Sequence, residues 1–176
     1  MRIGLCGTIS VGKTTLVNEL KKLPEFKDYN FATERSKYLR DLGIPLNTDS
    51  TIKGQTIFLA ERASELIQEN IITDRTVIDV MAFTNSAKSI PYYIASPFEE
   101  YAKFLLEDYD YIFYVSPEGV GLEDNGVRAY DAEYRKVIDN SIKRLLKQYN
   151  HKIKNLVEIS GSVEERVEKI KQVIFS

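Results

Sequence analysis

The sequence predicts an α/β fold of three layers, a five-stranded parallel sheet with helices on both faces. Two observations predict it. Five short runs rich in apolar residues recur along the chain, each separated from the next by segments of helical periodicity. The first run passes directly into a glycine-bearing loop of fixed spacing and then into a helix. Strands that alternate with helices imply parallel pairing, because each crossover lays its helix on a face of the sheet.

The elements follow in order. Residues 2–6 read as the first strand and 13–22 as a helix, with Pro24 just beyond it as a stop. Residues 29–33 are a second strand. A short helix then runs through Leu39 and ends near Gly43 and Pro45. Asp49 or Ser50 caps a long helix to about Asn70, in which Ile57, Ala60, Ser64 and Ile67 fall at helical spacing. Residues 70–73 form a third strand and 77–87 a helix. Ser96-Pro97 starts the next helix, with proline at its first position and acids in its first turn. Residues 111–115 are a fourth strand. A polar, glycine-containing stretch at about 117–131 reads as a lid-like loop. Residues 132–149 are helical, with Tyr134, Val137, Ile138, Ile142 and Leu145 on one stripe. Residues 156–159 are the fifth strand. Ser162, with Glu165 three residues on, makes a capping box for the last helix.

Length and composition fit this plan. At 176 residues the chain reads as a single domain, 1–176, large enough for a proper core. Lys and Arg total 24 against 26 Asp and Glu. That balance gives no support for broad nucleic-acid binding, although a local basic cleft remains open. No run of 18 apolar residues suggests a membrane span, and no leader pattern precedes the first strand. The one cysteine, Cys6, cannot form an internal disulfide, which points to a reducing, cytoplasmic setting. Cys6 reads as a small core residue and the lone histidine, His151, as a surface residue.

The loop after the first strand carries the chemistry. Gly7-Thr8-Ile9-Ser10-Val11-Gly12-Lys13-Thr14 fits G-x-x-x-x-G-K-[ST], the phosphate-binding loop of a nucleoside triphosphate site. Its glycines allow backbone angles that turn successive N–H groups toward phosphate oxygens. Gly7, Thr8, Ser10, Val11, Gly12, Lys13, Thr14 and Thr15 are therefore the expected nucleotide contacts. Lys13 would meet the β- and γ-phosphates, and the Thr14 hydroxyl would meet Mg²⁺. The helix that follows aims its positive end at the anion.

Ligands in parallel α/β sheets bind beyond the carboxyl ends of the strands. Glu34-Arg35 follow the second strand and Asp74-Arg75-Thr76 the third. Arg128 lies in the loop after the fourth, and Arg135 stands in the helix beyond. A carboxylate such as Asp74 can hold Mg²⁺ through water. A second, such as Glu34, can orient or deprotonate an attacking hydroxyl. Arg35, Arg75, Arg128 and Arg135 supply positive charge for the acceptor and the transferred phosphoryl group. Phe83, Tyr92 and Tyr93 offer faces on which a base could stack. Each also has a plain structural reading: a solvated charge pair for Glu34–Arg35, a helix cap for Asp74–Arg75, an ordinary loop residue for Arg128, and packing for the aromatics.

These motifs give the chain a resemblance to small P-loop kinases of nucleosides and nucleotides. Thymidylate and deoxynucleoside kinases carry a comparable acid–arginine motif after the third strand. The chain is most similar to the ATPase/kinase family that includes the ribosylnicotinamide kinase domain. There the pattern is the P-loop, an acid after strand two, then D-R-[ST]-x-x-D, seen here as Asp74-Arg75-Thr76-Val77-Ile78-Asp79. Thymidylate kinases usually have Pro-Gly soon after the strand-two acid, whereas Ser36-Lys37-Tyr38 stands here. The resemblance implies a P-loop kinase fold, ATP and Mg²⁺, and a small nucleoside or nucleotide acceptor, with a homodimer as an option. A GTPase is disfavoured, because D-x-x-G and N-K-x-D are both absent. A hydrolytic ATPase acting on a protein or nucleic-acid partner usually has a glutamate where Arg75 stands. It is the alternative, together with a kinase acting on modified DNA.

Overall fold

The computed structural model describes residues 1–33, 35–119 and 132–176. Its strands are β1 (Arg2–Cys6), β2 (Asn30–Ala32), β3 (Ile71–Asp74), β4 (Tyr111–Val115) and β5 (Leu156–Ile159). Its α-helices are α1 (Lys13–Lys21), α2 (Ser36–Asp41), α3 (Ile52–Glu65), α4 (Val77–Ser86), α5 (Tyr92–Ala102), α6 (Ala132–Gln148) and α7 (Val163–Phe175). Short 3₁₀ turns join several of them.

The five strands form one sheet in the order β2-β3-β1-β4-β5, with every pairing parallel. Leu5 sits opposite Asp74 on one side of β1, and Cys6 opposite Tyr114 on the other. The chain departs from β1 toward β3 and β2 on one side and reaches β4 and β5 on the other. The carboxyl end of β1 is thus the switch point at which parallel sheets bind ligands.

Strand periodicity divides the core into two layers. Ile3, Leu5, Phe113, Val115 and Ile159 face Leu16, Val17 and Leu20 of α1 and Ile170 and Ile174 of α7. Cys6, Ile112 and Tyr114 face Phe58 and Leu59 of α3, the apolar face of α4, and Ile138, Ile142 and Leu145 of α6. Both faces are therefore covered, as an all-parallel sheet requires. Burial pushes the Cys6 thiol well above its usual value, so it is a packed core residue and not a reactive one. His151 is exposed in a 3₁₀ turn. Ser162 and Glu165 form the reciprocal capping box at the start of α7. No helix among the described residues is long and apolar enough to cross a membrane.

Three helix expectations need correction. Helix α5 begins at Tyr92 and contains Pro97 instead of starting there. Its first turn is anchored by Ala95, which packs with Ala87 and Ile90, so the helix extends back past the proline signal. Helix α3 is capped by Thr51, whose hydroxyl accepts from the Gly54 N–H at 3.2 Å, and it ends at Glu65. Its buried face is Gly54, Gln55, Phe58, Leu59 and Arg62; of the residues at helical spacing, Ile57 packs partly against the core, Ala60 and Ser64 are exposed, and Ile67 lies beyond the helix and is exposed. In α6, Val137 is exposed and Asp139 and Leu146 join the buried face.

Candidate active site

The loop from Gly7 to Thr14 leaves β1 at the switch point and ends in α1. Gly12 caps α1 in a left-handed conformation, φ +84°, that favours glycine. A Cβ on Gly7 would lie 2.7 Å from the Val115 carbonyl oxygen, so the loop passes too close to β4 for any larger residue. Sequence spacing and backbone geometry agree here.

Lys13 is buried, with its ammonium donating to the Gly7 and Thr8 carbonyls at 2.6 and 2.7 Å. The lysine is thus folded into the cradle of its own loop. Thr14 donates its hydroxyl to Asp74 Oδ2 at 2.5 Å. Asp74 is only 1% exposed, and its other oxygen, Oδ1, has no hydrogen-bond partner among the described residues. A buried carboxylate oxygen without a donor is costly unless a ligand completes it. The Thr14–Asp74 pair therefore suits Mg²⁺, which takes one or two protein oxygens and fills its remaining positions with water and phosphate. Among the described residues, no cluster of three or more His, Cys, Asp and Glu could hold a metal unaided.

Asp79 links this loop to its neighbour. It accepts from the Gly7 N–H through Oδ1 at 3.2 Å, and through Oδ2 from the Thr76 N–H and hydroxyl at 2.7 and 3.0 Å. The bond from the Thr76 N–H is one half of a capping box on α4, whose other half is the Thr76 hydroxyl oxygen accepting from the main chain of the helix's first turn. One fully buried carboxylate thus fixes both the start of the phosphate loop and the turn after β3.

That turn presents Arg75. Its backbone is left-handed, φ +89°, a conformation that costs a non-glycine residue about 1–3 kcal/mol. The Arg75 N–H donates to the Leu5 carbonyl at 3.0 Å, and the Thr73 hydroxyl donates to the Arg75 carbonyl at 2.9 Å. The guanidinium lies 4.8 Å from the centre of the Phe83 ring. Arg75, Asp79 and Phe83, with Ser36, Gln55, Phe58 and Arg62, line a cleft that opens to solvent. Arg62 is clamped by both oxygens of Glu65, at 2.6 and 2.5 Å. The cleft therefore has apolar walls from Phe58, Val80 and Phe83 and a few fixed polar groups, the usual build of a small-molecule site.

The sequence-predicted residues divide accordingly. Lys13, Thr14 and Asp74 meet at the phosphate loop, and Arg75 and Phe83 line the adjoining cleft. Arg135 stands at the phosphate loop, not at the cleft. It donates to the Ser10 carbonyl at 3.3 Å, while its own carbonyl accepts from the Thr8 hydroxyl at 2.7 Å. Arg35 is half-exposed, bound to Glu61 at 3.1 Å and 4.6 Å from the Tyr38 ring centre, and is not among the residues lining the cleft. Tyr92 and Tyr93 are exposed on α5 and line no part of the cleft. Glu34, Arg128 and the loop at 120–131 lie outside the described residues.

Three site residues carried no sequence signal. Gln55 and Arg62 are buried polar residues on α3, visible only once the helix face is known. Arg166 comes from α7 and is 3% exposed. It donates to the Val11 carbonyl at 2.7 Å and the Ser116 carbonyl at 3.2 Å, with no carboxylate within ion-pair distance among the described residues. Burial lowers its pKa, as it does that of Arg135. Two guanidinium groups thus bear on the phosphate loop from outside the motif.

The sequence matches the AAA domain family over residues 2–166. No curated protein sequence matches it. Deoxyadenosine kinase from M. mycoides with bound dATP superposes with a TM-score of 0.67 at 21% identity, covering 100% of both chains. NadR in complex with NAD and AMP-PNP gives a TM-score of 0.72 at 14% identity, covering 97% of this chain and 48% of NadR. YorR from Bacillus subtilis, in complex with phosphorylated GDP, gives 0.52 at 20% identity, covering 99% and 95%. At these identities the structural matches establish the fold. The chain belongs to the AAA domain family and is built on the three-layer fold of P-loop nucleoside kinases.

Proposed function

We propose that this protein transfers the γ-phosphoryl group of ATP, in a Mg²⁺-dependent reaction, to a small nucleoside-like or nucleotide acceptor. The observation that carries the reading is Asp79. Its two oxygens join the amide of Gly7 to the turn that carries Arg75 at the cleft, so the phosphate loop and the adjoining cleft share one network of hydrogen bonds. The structures bearing nucleosides and nucleotides, deoxyadenosine kinase and NadR among them, support the class of acceptor.

The residues take the following roles. The loop amides and Lys13 neutralise the β- and γ-phosphates, and for this the Lys13 ammonium exchanges its bonds to the Gly7 and Thr8 carbonyls for phosphate oxygens. Thr14 and Asp74 would hold Mg²⁺, which would withdraw charge from the transferring phosphoryl group. Arg75 and Arg135 approach the same region from the cleft and from α6 and offset the charge of the transition state. The acceptor lies in the cleft with its ring near Phe83 and its polar edge toward Gln55. Its hydroxyl oxygen bonds to the γ-phosphorus as the bond to the β-bridging oxygen breaks, and ADP leaves. The hydroxyl proton passes to Glu34. Arg128, in the lid expected at about 117–131, would add positive charge for the transferred phosphoryl group. The substrate favoured is a hydroxyl acceptor, ribosylnicotinamide or a deoxynucleoside. A phosphoryl-transfer screen with ATP against nucleosides, nucleoside monophosphates, nicotinamide riboside and short DNA tests the reading. Product formation with one of the first three supports it.

A further inference from the structure

Helix α6 meets the phosphate loop near its start. The Thr8 hydroxyl donates to the Arg135 carbonyl at 2.7 Å, and the Arg135 guanidinium donates to the Ser10 carbonyl at 3.3 Å. Ser10 is itself left-handed, φ +54°, so the second contact falls on a strained point of the loop. One turn further along, Asp139 shares the side of α6 that carries Arg135. It is 6% exposed, and its Oδ1 accepts from the hydroxyl of Tyr114 on β4 at 2.7 Å. Its Oδ2 accepts from the Lys143 ammonium at 2.9 Å. Tyr114 is 4% exposed and stands in register with Cys6, the last residue of β1 before the loop. Burial and the neighbouring carboxylate push the Tyr114 pKa up, so its hydroxyl stays a donor.

We propose that Tyr114 and Asp139 are a positioning pair: their bond fixes the register of α6 on β4 and so holds Arg135 against the phosphate loop. The layer around them is apolar, with Cys6, Ile112, Ile138, Ile142 and Leu145. A hydroxyl and a carboxylate buried there cost desolvation that is offset only when each has the other. Apolar residues of the same size would hold α6 on the sheet as firmly, but they would accept more than one register. The polar pair accepts one, and it lies a single helical turn from the residue that must be placed. Lys143 is half-exposed and balances the carboxylate without setting the register. The proposal rests on the reading of the loop as the ATP site and of Arg135 as a charge upon it. Tyr114 and Asp139 act through Arg135 and need no contact with the nucleotide.

Calorimetric titration of the full chain with ATP, in the absence of any acceptor, tests the pair. A protein that turned over no acceptor would sink the kinase reading and leave this test intact. Tyr114→Phe and Asp139→Ala should each raise the ATP dissociation constant by about three- to tenfold, and Arg135→Ala by about tenfold. Tyr114→Phe added to Arg135→Ala should raise it no further, because the pair has no other route to the nucleotide. Asp139→Asn keeps an oxygen for the Tyr114 hydroxyl and should recover most of what Asp139→Ala loses. Lys143→Gln should bind ATP as the wild type does. If Asp139→Ala does not fold, Tyr114→Phe and Asp139→Asn carry the comparison. As a readout that needs no nucleotide, amide hydrogen exchange over residues 8–13 should quicken in folded Tyr114→Phe. Variants that melt earlier yet bind ATP with wild-type affinity would overturn the proposal, since a bond that serves stability alone behaves so. Additive losses in the double variant would overturn it too, as would Asp139→Asn as weak as Asp139→Ala.

Discussion

The guanidinium of Arg166 donates to the main-chain carbonyl of Val11 at 2.7 Å, joining residues 155 apart in sequence. A second N–H reaches the Ser116 carbonyl at the end of β4. A buried cation from the last helix therefore braces the phosphate loop and adds positive charge beneath it. Arg166→Leu should weaken ATP binding by about tenfold or more, and Arg166→Lys should restore part of it. Leaving two carbonyls unmet should also cost about 1–3 kcal/mol of stability. Calorimetric titration with ATP, beside thermal melts, separates the two effects. Wild-type affinity in Arg166→Leu would show that the brace does not bear on nucleotide binding.

Asp74 and Arg75 should act on one transition state. Asp74→Asn removes the charge that suits Mg²⁺ and should depress kcat. Arg75→Ala should raise the acceptor KM and lower kcat together. The double variant should lose less than the product of the single losses. Arg75 adds a conformational test. Because its φ is +89°, Arg75→Gly should be more stable than Arg75→Ala by about 1 kcal/mol, although both lack the guanidinium. Near-normal kcat/KM in both single variants would reduce the pair to the turn before a helix.

Asp79→Asn keeps the size of the side chain but replaces one acceptor oxygen with a donor. One of the bonds to Gly7 and Thr76 must then fail. The expected loss is about 2 kcal/mol, or roughly 4–8 °C in Tm. ATP affinity should fall as well, since the loop start is no longer fixed. Thermal unfolding and nucleotide titration of the same sample check both. A change in neither would remove Asp79 from its linking role.

Much of this was legible in the sequence because the signals are local. The P-loop spacing dictates its own backbone, and β1, β4 and β5 appear as apolar runs that need no tertiary information. The capping box of Ser162 and Glu165 is likewise written in four residues. The cleft was not legible for a physical reason. Its wall on α3 is the face of Gln55 and Arg62, two polar residues that a hydrophobic stripe places on the outside. Arg166 was invisible because its partners are main-chain carbonyls, which carry no residue signature. Pro97 misled because proline at a helix start and proline within a helix look alike when the preceding turn is anchored only by Ala95 and Ile90.

The acceptor class turns on Glu34. A hydroxyl gains from a positioned base, whereas a monophosphate arrives as an oxyanion. Glu34→Gln should lower kcat by roughly 10²–10⁴ with little change in KM and should flatten the acidic limb of the pH–rate profile. A rise in KM alone, or turnover with monophosphates only, would favour a nucleotide kinase.

The most direct measurement is the fate of the γ-phosphate of labelled ATP with and without acceptor. If the protein is a kinase, ATP consumption without acceptor should be slow, because Arg75 stands where a water-activating glutamate would follow Asp74. A nucleoside-like acceptor should raise it by orders of magnitude, with the label recovered in the acceptor, and Lys13→Ala should abolish both. Fast release of inorganic phosphate without acceptor, or stimulation only by a protein or DNA, would contradict the account.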